Sequence, residues 1–331
     1  MDFNKIDLNK ADNSKYHEVL LKAYRQQHSE LESSNQDLLD DSHIPVSHKG
    51  FSGKYSVLDN TLQAAVLVSI ASFNSHFKNR LVSNMVSIDI IISRLMYQGN
   101  ISRKRKSVRK AISELAEKDI IKVTDIFGSP VHDIKTESAS TLVSIEQQTI
   151  GNKPNTISYF KIKWSEYLRI VTSDATDSSK ESLLAVLATI KSDMMDVNVS
   201  KNRHRPKDTL TILNRYRSMF CLASIESIGL KTNTNRVTTA KYIDQLKEMD
   251  IIKALKVRRV DTPRYAWTYY YSDFARFPEL TYFAEGLINS GFVSNSKDSR
   301  YKNLSYLNID KVYNEGADIV KDGKEFKVRG E

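Results

Sequence analysis

Residues 115–122 read LAEKDIIK, and residues 246–253 read LKEMDIIK. Each copy ends a basic, helix-like stretch and opens a β-like one, and the two lie 131 residues apart. At that offset Ser87 falls on Ser218, Lys110 on Lys241, Ile112 on Ile243 and Leu115 on Leu246. A repeat of this kind marks one module built twice. The shared isoleucines, Ile120, Ile121, Ile251 and Ile252, are expected in the hydrophobic seam at the corner from helix to strand.

Upstream of the first copy, apolar residues recur at helical spacing. Leu58, Leu62, Ala65, Val66, Ile70 and Phe73 define a helix over 58–73. Ser87 is the expected N-cap of a second helix carrying Ile88, Ile91, Ile92 and Leu95. Gly99 and Asn100 end it. A third helix, 102–117, buries Val108, Ala111, Ile112 and Leu115. The β-like run IIKVTDIF follows and stops at Gly128-Ser129-Pro130. Its expected partner is the alternating stretch TISYFKIKW at 156–164, with the polar segment 129–155 as a long excursion between them.

Around the second copy the pattern recurs. A helix from Lys180 buries Leu183, Leu184, Val186, Leu187 and Ile190. Residues 192–209 read as a polar, basic loop. Helical signal resumes over 210–228 and breaks at Gly229. A further helix, 234–249, buries Thr239, Tyr242, Ile243 and Leu246. A hairpin follows, ALKVRRV and RYAWTYYY about Asp261-Thr262-Pro263. The aromatic run Trp267, Tyr269, Tyr270 and Tyr271 is expected to pack as a strand. The expected organisation is an acidic polar arm (1–50), module one (51–170), module two (180–275), and a helix near 278–289 followed by a polar tail (276–331).

Charge is local. The whole chain carries a formal +9 with pI near 9.3. Residues 1–50 nonetheless hold six Lys or Arg against nine Asp or Glu. Residues 101–110, ISRKRKSVRK, hold six cations and no anion, and 201–207, KNRHRPK, hold four cations.

Helix, helix, basic helix, hairpin is the order of a winged helix-turn-helix, in which the third helix keeps an apolar face on the core and offers its polar face to the major groove. The expected fold class is α+β, mainly helical, with two tandem winged helix-turn-helix domains and polar extensions. The expected contacts to double-stranded DNA in module one are Ser102, Arg103, Lys104, Arg105, Lys106, Arg109 and Lys110, a set suited to phosphates. Those of module two are Lys231, Thr232, Asn233, Asn235, Arg236, Thr238 and Lys241, together with Thr234, a set better suited to base edges. Lys201, Arg203 and Arg205 of the basic loop and Arg258, Arg259 and Arg264 of the hairpin complete the candidates.

Catalysis has no support in the sequence. There is no phosphate-binding G-x-x-x-x-G-K-[ST] loop, no G-x-S-x-G, and no zinc-like spacing among seven histidines and one cysteine. No cofactor and no metal are expected. No run of about 18 apolar residues is present, so no membrane span is expected. Cys221, among apolar neighbours, reads as an inert core thiol in a reducing, cytoplasmic setting.

Two winged-helix modules, each with a basic third helix, resemble the plasmid replication initiators of the iteron-binding kind over residues 55–272. The resemblance implies sequence-specific binding to origin repeats, chiefly through the second module. It also implies backbone contact and self-association into a dimer through the first, and recruitment of host replication proteins. A transcription regulator on the same scaffold and a primosome-type protein-interaction scaffold are the alternative expectations.

Overall fold

The computed structural model describes residues 43–51, 57–77, 80–131, 134–149, 159–194, 220–259, 267–274, 307–311, 317–322 and 325–329. The chain is α+β. Its described residues fall into two compact units, one within Asp41–Asp193 and Ile225–Met249, the other within Met194–Ser224 and Asp250–Glu331.

The first unit opens with strand β1 (His43–Ser47) and helix α1 (Thr61–Ala71). Asn60 caps α1 by accepting from the Gln63 N–H at 3.0 Å, so the helix starts later than the apolar pattern suggests. Leu58 is buried just ahead of it. Strands β2 (Asn74–Phe77) and β3 (Arg80–Val86) come next, then α2 (Ile88–Arg94) and α3 (Ile101–Glu117). Ser87 caps α2 as expected, its hydroxyl accepting from the Ile90 N–H. The four expected core positions of α3 are all buried. Strands β4 (Ile121–Asp125), β5 (Val143–Gln147) and β6 (Tyr159–Lys163) and helices α4 (Trp164–Val171), α5 (Asp177–Asp193), α6 (Ile225–Thr232) and α7 (Arg236–Glu248) complete the unit.

The hairpin of module one differs from expectation. The partner of β4 is β5, inside the segment read as an excursion, and the four-stranded antiparallel sheet runs β2-β3-β5-β4. In β5, Val143, Ile145 and Gln147 are buried in alternation, a signal hidden by the polar residues between and around them. The alternating stretch expected to close that hairpin is instead β6, which pairs with β1 in register His43↔Lys163 through Ser47↔Tyr159. Residues 43–50, read as part of an arm, therefore belong to the fold. Pro45 lies within a strand of this two-stranded sheet, opposite Lys161. The rest of the arm lies outside the described residues.

Helix α5 is buried nearly throughout, from Ser182 to Ser192. It packs on α1 and also on α6 and α7, while α1 also carries α3. A helix apolar all round must be covered on every side. Helix α4, unforeseen in the sequence, puts Glu166 beside α5. There Lys191 Nζ meets Glu166 Oε1 at 2.6 Å with both side chains buried. The other Glu166 oxygen accepts from the Lys163 N–H at 2.9 Å and caps α4.

Gly229 does not end a helix; it lies inside α6. A Cβ there would stand 2.7 Å from the Thr234 carbonyl oxygen and 2.9 Å from Thr239 Oγ1. Only glycine permits that approach. The expected helical signal over 210–228 is corrected in part. Residues 221–223 are a strand and 225–232 are helical, while 210–219 lie outside the described residues.

The second unit holds one antiparallel sheet. Its strands are β7 (Cys221–Ala223), β8 (Ile252–Arg259), β9 (Trp267–Asp273), β10 (Leu307–Lys311), β11 (Ala317–Asp322) and β12 (Glu325–Arg329), in the order β12-β11-β10-β8-β9-β7. The expected hairpin is the pair β8–β9, with Ile252 opposite Asp273 and Arg258 opposite Trp267. Tyr270 and Tyr271 are fully buried, and Tyr269 stacks on Tyr271 at 5.8 Å, as strand packing requires. Cys221 is buried. The tail is not uniformly irregular, since it contributes three strands. The helix expected at 278–289 lies outside the described residues.

Candidate nucleic-acid interface

Helix α3 begins at Asn100, whose side chain accepts from the Arg103 N–H at 3.0 Å. Helix α7 begins at Asn235, whose side chain accepts from the Thr238 N–H at 2.8 Å. Both helices are thus started by asparagine, a favoured cap. They end at equivalent residues, but α3 has 17 residues and α7 has 13. The extra length is one turn, and it lies at the N-terminal end of α3, where the cations are.

The six cations of α3 do not act alike. Lys104 turns inward, with Nζ 3.2 Å from Asp177 Oδ2, 3.5 Å from Glu181 Oε1 and 4.1 Å from the centre of the Tyr97 ring. Arg105 makes a two-pronged contact with Asp89 of α2 at 2.7 and 2.9 Å. That hydrogen-bonded carboxylate raises the Arg105 guanidinium further above its already high range. Arg109 is half-buried, and its Nε is covered. Arg103, Lys106 and Lys110 remain on the exposed face. Their spacing of three and four residues forms one stripe. Lys110 has Glu114 at 3.6 Å, yet its side chain stays 72% exposed, so that pair is weak. Ser102 is exposed beside Arg103.

The polar run of module two is divided as well. Thr232 is buried, and its hydroxyl donates to the Ile228 carbonyl at 3.0 Å. Hydroxyl contacts of 2.7 Å link Thr232 to Thr234 and Thr234 to Thr239. This chain of threonines ties α6 to α7 across the close approach at Gly229. Asn233 takes φ of +54°, and its amide donates to the Asp59 carbonyl at 2.7 Å. Lys231 is held by both Asp193 oxygens at 2.6 and 2.7 Å. These contacts build the turn; Thr232 is buried, Lys231 and Thr234 are partly covered, and Asn233 stays exposed. Arg236, Thr238 and Lys241 do reach the surface. Arg236 is 69% exposed although Glu226 lies 3.1 Å away.

Two apolar features are exposed that the polar pattern of the sequence does not indicate. Val237, in the first turn of α7, is 79% exposed between Arg236 and Thr238. Phe127 and Ile126, at the turn after β4, are 88% and 53% exposed. Phe127 is followed directly by Gly128-Ser129-Pro130, and this position in a turn is the sequence signal that marks it as exposed. Lys201, Arg203, Arg205 and Arg264 lie outside the described residues. Arg258 and Arg259 are placed only as backbone positions of β8.

Among the described residues no group of three His, Cys, Asp or Glu side chains is arranged to hold a metal ion, and no helix is long and apolar enough to cross a membrane. No family model, curated protein or solved structure matches this chain.

Proposed function

We propose that the chain is a sequence-specific double-stranded DNA-binding protein built on two winged helix-turn-helix modules, and that it acts as a plasmid-type replication initiator at origin repeats. One observation carries the reading. The order helix, strand, helix, helix, strand, strand is common to two sets, α1-β3-α2-α3-β4-β5, with β2 inserted after α1, and α5-β7-α6-α7-β8-β9, with residues 195–219 between α5 and β7 outside the described residues. In each set the three strands adjoin in the same sequence, β4-β5-β3 and β8-β9-β7. The hairpin strand that returns is central both times.

Electrostatics supports the same reading. The outward stripe Arg103–Lys106–Lys110 suits phosphates, which fix position without reading sequence. Arg236, Val237 and Thr238 suit base edges, since arginine reads guanine and an apolar side chain meets the thymine methyl. The initiator assignment, self-association and recruitment of host replication proteins rest on the family resemblance.

The test is binding to a duplex drawn from the DNA flanking the gene against a random duplex, at about 50 and 200 mM salt. A large preference for the flank is the expected result, and footprinting over direct repeats would support the initiator role. A single inverted repeat at a promoter would indicate a regulator instead. Absence of binding to both duplexes would overturn the reading in favour of a protein-interaction scaffold.

A further inference from the structure

The turn that follows β4 is tightly built and ends in water. Asp125 Oδ1 accepts from the Phe127 N–H and from the Ser129 N–H, each at 2.8 Å. The Gly128 N–H donates to the Asp125 carbonyl at 3.1 Å, and the Asp125 N–H donates to the Ser129 carbonyl at 2.8 Å. Gly128 takes φ of +88°, the left-handed region that glycine enters without strain. One carboxylate and one glycine therefore hold a reverse turn whose outermost side chain, Phe127, touches almost nothing.

Single exposed apolar residues are ordinary. A phenylalanine 88% exposed on a hydrogen-bonded turn, with Ile126 half-exposed beside it, is less so. Its position is informative. Asp125 pairs with Val143 at the end of the hairpin, and four residues before Val143 the Ala139 carbonyl accepts from the Asp89 N–H. Asp89 in turn grips Arg105 in the second turn of α3. These contacts link the base of the hairpin, through Asp89, to Arg105 in the second turn of α3, close in sequence to Arg103 and Lys106. A polyanion held by those cations is the occupant that their charge suits.

We propose that Phe127 is an apolar wedge that enters between adjacent base pairs of the duplex held by α3. This deepens the DNA-binding reading and rests on it. Proteins that insert apolar side chains at base steps unstack them and kink the duplex by about 20–90°. Pyrimidine–purine steps such as TA yield most easily. Because the turn is already ordered, little conformational freedom is lost on insertion.

The test uses the full chain and an A/T-rich duplex of about 30 bp carrying 2-aminopurine at TA steps, read together by anisotropy and by 2-aminopurine emission. Wild type is expected to bind and to raise the emission at least about twofold as the base unstacks. F127A is expected to bind with the same salt slope and to lose that rise. F127W is expected to keep the rise and to show quenched tryptophan emission on binding. Binding by wild type without a rise, or an equal rise with F127A, would overturn the wedge and leave the DNA-binding reading standing. If F127A loses all binding, F127W decides, because binding without quenching or a rise overturns the wedge. Failure of wild type to bind any duplex would overturn both.

Discussion

Asp119 and Asp250 occupy the same left-handed backbone position, φ +54° and +51°, one in each copy of the repeated DIIK. At the first, the Ile120 N–H reaches back to the Leu115 carbonyl and the Asp119 N–H to the Ala116 carbonyl, both at 2.9 Å. That is how a helix is stopped by a residue in the left-handed region. Next come two fully buried isoleucines in each copy. The repeated octapeptide is therefore a helix stop coupled to a core entry in both places.

Valine at either position should cost about 1–2 kcal/mol, because a β-branched side chain cannot take positive φ without strain. Glycine should stay within about 0.5 kcal/mol of wild type. Urea denaturation of D119V, D119G, D250V and D250G measures this. Equal stability of the valine and glycine forms would disprove the shared stop.

G229A places a methyl group against the Thr234 carbonyl and the Thr239 hydroxyl. Overpacking of this kind should cost about 1–3 kcal/mol. The loss should appear as a lower urea midpoint with unchanged slope. If α6 shifted freely to admit the methyl, the midpoint would not move.

Lys191→Met removes the ammonium 2.6 Å from a buried Glu166 carboxylate. Breaking a buried pair from one side should cost about 3–5 kcal/mol. The double change K191M/E166Q should recover much of that, because no buried carboxylate is left uncompensated. A double variant less stable than K191M alone would contradict this account.

Burial pushes the Asp177 carboxyl up. The Gln98 N–H, the Lys104 ammonium and the Gly99 N–H outweigh that and hold it below its ordinary value. A carboxyl depressed in the folded state stabilises fully above its unfolded pKa, near 3.9, and the contribution is lost as pH falls through the folded value. The stability gap between wild type and D177N should therefore be widest above about pH 5 and shrink in acid. A gap independent of pH would show that the carboxylate acts only by shape.

R103A/K106A/K110A should weaken binding to all duplexes alike and lower the salt slope by about 0.9 per lost phosphate contact. R105A should leave the slope nearly unchanged and reduce stability, since Arg105 holds Asp89. Arg236→Ala should cost about 1–3 kcal/mol on the specific duplex and relax one base position. Equal losses on specific and random DNA would remove Arg236 from base reading.

Much of this architecture was legible in the sequence where the signal was local. Ser87 as a cap, the α3 core positions and the α7 core positions Thr239, Tyr242, Ile243 and Leu246 all follow from spacing within one helix. Pairing across distance was not legible. The β6 stretch showed its alternation plainly, yet nothing in it named β1, more than 100 residues upstream, as partner. The ion pairs of the basic run were not legible for the same reason. Lys104 and Arg105 look free in the run RKRK, and their anions lie 73 and 16 residues away in the chain, at Asp177 and Asp89. Val237 and Phe127 were missed because apolar side chains are expected inside.

Helix α5 has a consequence for synthesis. Its apolar surface is covered on one side by α1, made earlier, and on another by α6 and α7, which end at Glu248, about 55 residues after α5 is complete. At ribosomal rates of roughly 5–20 residues per second, that surface waits several seconds for its last cover. A nascent chain paused between residues 194 and 225 would expose it, and chaperones would find it there.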